Sequence, residues 1–185
     1  MLVAAFKFLN EGFTHVLPLG LDHILFISSL FFLNSNLKSV VLQCTFFTLA
    51  HSITLFLSAY QILLPNIQIV EPLIALSIVY TSLENIFRNE VNKWRLLIIF
   101  CFGLIHGMGF AIALQDISLE KYNFITSLIS FNIGVEIAQL FILMMLYYGI
   151  AFWFKNKFWY NQRVVYPISS LIACVAIFWF IQRIL

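Results

Sequence analysis

Long apolar runs, separated by short polar breaks, dominate the chain. Six can be marked, at roughly 15–33, 38–60, 69–87, 94–114, 122–150 and 164–181. Each offers at least about 18 residues, close to the 20 that a helix needs to cross a hydrocarbon core of about 30 Å. None alternates with a period of two. Lipid admits only helices and closed barrels, so the runs predict helices. The pattern predicts an all-α membrane protein, a bundle of about six transmembrane helices in a single domain over residues 1–185.

The first run is irregular. Ile24–Leu33, broken only by Ser28 and Ser29, is too short to cross alone. A spanning unit must begin near His15 and so include Pro18 and Gly20. Proline removes a backbone donor and glycine loosens a helix, which predicts a kink or break there. Residues 1–14 form a candidate interfacial helix ahead of it, with a re-entrant course left open. Lys7, Asn10 and Glu11 interrupt the apolar start, and no convincing cleavage site follows, so no cleavable signal peptide is expected.

Polar residues inside the runs are few. An ionisable side chain at membrane depth costs about 2.5–3.5 kcal/mol on insertion scales and faces a bundle interior or a cavity. In FTLAHSITL, Thr48, His51 and Ser52 fall on one helix face. In FGLIHGMGFA, Gly103, Gly107 and Ala111 form a ridge of small residues that lets two helices approach closely, with His106 beside it. In FNIGVEIAQ, Asn132, Glu136 and Gln139 make a narrow polar stripe. Glu71 precedes Pro72, which suits a first helical turn. Glu84 has Arg88 four residues on, and Asn85 adjoins it. Structural readings compete throughout: hydroxyls bond the backbone, and histidines or amides join neighbouring helices. By helical rise, His51 and His106 lie near mid-depth. Asp22 and His23 are shallower, unless the break at Pro18 and Gly20 lets the chain dip inward.

Composition agrees with the pattern. The chain is 62% hydrophobic and 10% charged, where a soluble domain carries about a quarter charged residues. The net charge of +2 is scattered, so no nucleic acid partner is expected. Cys44, Cys101 and Cys174 have no paired spacing and read as packing residues. Lys38, Arg88, Lys93, Arg95, Lys155, Lys157 and Arg163 follow the odd-numbered runs, whereas Lys7, Lys121 and Arg183 lie on the other side. That bias puts the odd-numbered loops in the cytoplasm and both termini outside.

Neutral imidazole suits zinc, copper, iron and nickel, and a carboxylate compensates their charge. The metal-ligand candidates are Asp22, His23, His51, His106 and Glu136. Adjacent Asp22 and His23 point to different sides of a helix, so one would ligate while the other orients a neighbour. His15, Thr48, Ser52, Glu71, Glu84, Asn85, Asn132 and Gln139 are candidates for a transport path or for supporting contacts. No HExxH motif is present.

GLDHILF (20–26), FTLAHSITL (47–55), VEPLIALSI (70–78), the Glu84–Asn85 pair, FGLIHGMGFA (102–111) and FNIGVEIAQ (131–139), in this order, resemble the HupE/UreJ family of small membrane proteins. The resemblance covers five of the six runs. It implies a polytopic helical bundle in a bacterial inner membrane, with nickel or cobalt permeation linked to hydrogenase or urease maturation. Asp22–His23 is also similar to the Asp-His ending of the signature of the wider nickel/cobalt carriers, where another histidine lies a few residues upstream. Here that candidate is His15, separated from Asp22 by six intervening residues that include Pro18.

The expected function is a divalent transition-metal permease, a transporter rather than an enzyme. One alternative is an intramembrane zinc-dependent hydrolase, with Glu136 as base. The other is a non-catalytic membrane scaffold subunit. Expected partners are the lipid bilayer, the metal ion, and a second copy of the chain or metalloenzyme-maturation proteins.

Overall fold

A computed structural model describes residues 2–33, 36–88, 93–115 and 124–185, with side chains from residue 5 onward and without those of 111–115 and 124. Ala111 as a packing residue and Lys121 as an orienting charge therefore lie outside the described side chains. The elements are α1 (Leu2–Val16), α2 (Leu21–Leu33), α3 (Leu37–Ala59), α4 (Ile67–Phe87), α5 (Arg95–Gln115), α6 (Phe124–Leu146), α7 (Phe152–Phe154) and α8 (Tyr166–Ile184). Residues Tyr147–Ala151 and Asn161–Val165 are π-helical. The described residues contain no strand.

Among the described residues, four helical stretches are long and apolar enough to cross a membrane: Leu37–Ala59, Ile67–Phe87, Ile125–Phe154 and Asn161–Ile184. The α1–α2 pair, bent by 67°, makes a fifth candidate. The apolar part of α5, Arg95–Phe110, is shorter, although the whole helix of 21 residues reaches about 30 Å. Large apolar side chains such as Phe141, Met145, Leu171 and Phe178 face outward. Cys101 and Cys174 are exposed among them, while Cys44 is buried. An apolar exterior of this extent fits an integral membrane protein.

The break falls at Leu17–Gly20, where proline and glycine place it. A side chain at Gly20 would run into the carbonyl of His15, so glycine lets the chain turn back on itself. Residues before the break do not stand apart as an interfacial helix would. Helix α1 packs along α6, with Gly12 against the backbone of Phe131 and Gly134 against that of Leu9 and Phe13. The paired glycines remove the side chains that would hold the two backbones apart.

Gly103 lies against Phe47 and Ala50, and Gly107 against His51 and Thr54. The contacts advance together along both chains, so α3 and α5 run parallel in close contact, as the small-residue ridge predicts. Helices α4 and α8 run antiparallel: Arg183 bonds the Glu71 carbonyl, and Asn85 bonds Ser169. One end of the bundle thus gathers the start of α2 and α4 with the end of α8. The opposite end gathers the start of α3 and α5 with the end of α4, and carries Lys38, Arg88 and Arg95. These are called the vestibule end and the basic end below.

Candidate functional site

A cavity of about 670 Å³ opens at the vestibule end. Glu11, Asp22, Glu71 and Arg183 line it, and so do His15, His23 and His106. Arg183 donates to both carboxylate oxygens of Asp22, at 3.0 and 3.2 Å, and to the Glu71 carbonyl at 3.1 Å. One guanidinium therefore ties α2, α4 and α8 together at the mouth. Its other face lies over Trp179, 5.4 Å from the ring centre.

Below the mouth, four helices each contribute one histidine. His23 has ring centres of His15 at 4.8 Å, His106 at 5.3 Å and His51 at 5.7 Å, and His15 lies 6.0 Å from His51. His51 and His106 are almost wholly buried, and His23 nearly so. Phe26, Phe47, Phe110 and Phe131 pack around the cluster. The fold-back at Pro18 and Gly20 is what places His15 against His23. No single helical face joins them, and six intervening residues are no obstacle when the helix breaks between.

Nitrogens in this cluster lack partners. His15 Nε2, His23 Nε2, both ring nitrogens of His51 and His106 Nδ1 are buried with no hydrogen bond among the described residues. Such atoms cost free energy unless something else satisfies them. His106 Nε2 is an exception, bonded to Ser77 Oγ at 2.9 Å. Imidazoles sharing one ion at about 2.0–2.1 Å have ring centres roughly 4.5–5.5 Å apart, close to the spacing around His23. Among the described residues, however, no three His, Cys, Asp or Glu side chains are set to hold an ion as they stand. Ring proximity and donor convergence thus disagree.

The α6 stripe meets α3. Gln139 Oε1 accepts from Thr48 at 3.2 Å, and Glu136 Oε1 accepts from Thr45 at 2.7 Å. Asn132 instead bonds back to the Leu128 carbonyl of its own helix. Ser52 does the same with the Thr48 carbonyl. Along α3 a polar row therefore descends from His51 through Thr48 to Thr45, about 9 Å by helical rise. Gln43, two residues further on, faces nearly the opposite side of α3 and lies in a buried cluster. Arg95 Nε donates to Gln43 Oε1 at 2.8 Å, and Arg95 pairs closely with Glu84. Both side chains are 2% exposed. Arg88 lies 3.7 Å from the other Glu84 oxygen. Beside this pair, Asn85 donates to the Ser29 carbonyl and to Ser169 Oγ, and Ser29 shares a hydrogen bond with Thr81.

The structure thus brings His15, His23, His51 and His106 together, and places Asp22 and Glu71 at the mouth above them. It holds Glu136 on Thr45 and Asp22 on Arg183, apart from the histidine contacts. Sequence reasoning passed over Arg183, Arg95, Gln43 and Ser77. Arg95 and Arg183 carried one signal, since each is a charge at the edge of an apolar run, but that signal was read only as loop charge.

No curated protein and no solved structure matches the chain. The sequence model described as HupE / UreJ protein matches residues 1–183, and with that coverage the chain belongs to the HupE/UreJ family.

Proposed function

We propose that this protein is a permease for a divalent transition-metal ion of the nickel or cobalt type, in a bacterial inner membrane with both termini outside. One observation carries the reading. Four helices bring four histidines together beneath an open vestibule that His15, His23 and His106 line, with five ring nitrogens lacking partners among the described residues. The ion enters past Asp22 and Glu71, whose charge draws cations inward. It then moves between imidazoles. A cluster with no preformed three-ligand site among the described residues suits transport, because a closed, tight site would trap the ion. The row of Thr48 with Gln139 and Thr45 with Glu136 leads on toward the basic end, where Glu84, paired with Arg95, is the proposed inner acceptor. The ion is the substrate, and metalloenzyme-maturation proteins in the cytoplasm, or a second copy of the chain, are its proposed partners.

Liposomes containing the purified chain and a metal-sensitive dye test this reading. Nickel or cobalt added outside should enter faster than in protein-free vesicles. Folded protein that admits no first-row divalent ion would contradict the proposal.

A further inference from the structure

A second cavity, of about 740 Å³, lies at the basic end between the start of α3 and the turn after α7. It has no part in the path described above. Lys38, Lys155, Asn156, Asn161 and Tyr147 line it, and the described residues around it include no acid. Lys155 is held at its rim, with Nζ 3.5 Å from the Tyr147 hydroxyl and 5.0 Å from the ring centre. Helix α3 points its N-terminus here, where backbone N–H groups and the helix dipole favour an anion. Asn36 caps that helix by accepting from the Lys38 N–H.

Two ammonium groups, two amide side chains and a helix start form a chemistry that takes phosphate oxygens. The surroundings set its depth. Tyr148, Trp153 and Phe158 are exposed nearby in the chain, and aromatic side chains of this kind collect at the membrane–water boundary. Basic pockets at that level receive anionic headgroups.

We propose that this cavity binds a phosphate group, carried by an anionic phospholipid headgroup or free in solution. The proposal is independent of the transport reading and survives its failure.

The test uses the full chain in nanodiscs of neutral phosphatidylcholine. One arm replaces part of the lipid with anionic phosphatidylglycerol, and the other titrates inorganic phosphate into neutral discs. Thermal unfolding is followed in both. The unfolding midpoint should rise in at least one arm. Lys38→Gln and Lys155→Gln should each weaken the apparent affinity about fivefold, and together abolish the rise at moderate ligand. Lys38→Arg with Lys155→Arg should retain it. Lys157→Gln, an exposed lysine outside the cavity lining, should respond like the wild type. A response to lipid alone assigns the headgroup, and a response to phosphate assigns the free anion. No rise in either arm, an undiminished rise in the double glutamine variant, or an equal loss in Lys157→Gln would overturn the proposal.

Discussion

Two ion pairs close the two ends of this bundle, and they differ in their surroundings. Asp22 and Arg183 at the vestibule end are 25% and 20% exposed, against 2% for each of Glu84 and Arg95 at the basic end. Water reaches the first pair, so its carboxylate can exchange partners at small cost. The second pair is dry, and its charges are stable only together. The difference makes the vestibule the accessible side and the basic end the sealed one. A cation approaching Asp22 competes with one partly solvated guanidinium. A cation approaching Glu84 must displace an arginine that has nowhere wet to go.

The largest effect should come from breaking the dry pair. Glu84→Gln leaves Arg95 buried and uncompensated, and should lower unfolding stability by about 3–5 kcal/mol. Adding Arg95→Met should restore much of that loss, as read from thermal unfolding of the single and double variants. A single-variant loss no larger than that of Asp22→Asn would remove the contrast between the ends. Next comes the α3–α5 contact that holds His51 between them. Gly107→Ala places a methyl against the His51 carbonyl and Thr54, and should cost about 1–3 kcal/mol. Gly149→Ala meets nothing within 4 Å and should stay within about 0.5 kcal/mol of wild type. Smallest in stability is the outer pair. Asp22→Asn and Arg183→Gln should each change unfolding by about 1 kcal/mol or less. They should separate in uptake: Asp22→Asn raises the half-saturating ion concentration, and Arg183→Gln lowers it. Equal shifts in the same direction would show that Arg183 does not compete for Asp22.

The apolar runs, the break at Pro18 and Gly20, and the Gly103–Gly107 ridge were legible in the sequence, because each rests on local chemistry within one helix. The histidines were legible as residues out of place. Their meeting is not, since only the fold-back at Pro18 and Gly20 sets His15 against His23. Partners across helices were also hidden. Periodicity tells which face a residue occupies but not which helix lies opposite. Glu84 was paired with Arg88, its neighbour one turn on, whereas Arg95 on the next helix is the closer partner. Arg183 was counted among loop charges, yet it reaches Asp22, 161 residues away in the chain. Asn132 shares the period of Glu136 and Gln139, but its amide bonds its own backbone, a choice that spacing cannot distinguish.

The central claim is that the histidine cluster carries the ion. His51 is fully buried with both ring nitrogens unpartnered among the described residues, so its removal breaks no side-chain hydrogen bond found there. The decisive measurement compares wild type and His51→Ala in dye-loaded liposomes, with thermal unfolding recorded on the same preparations. The account predicts at least about a tenfold loss of nickel or cobalt uptake, with an unfolding midpoint within about 5 °C of wild type. Unchanged uptake, or a loss of stability with no loss of uptake, would contradict it.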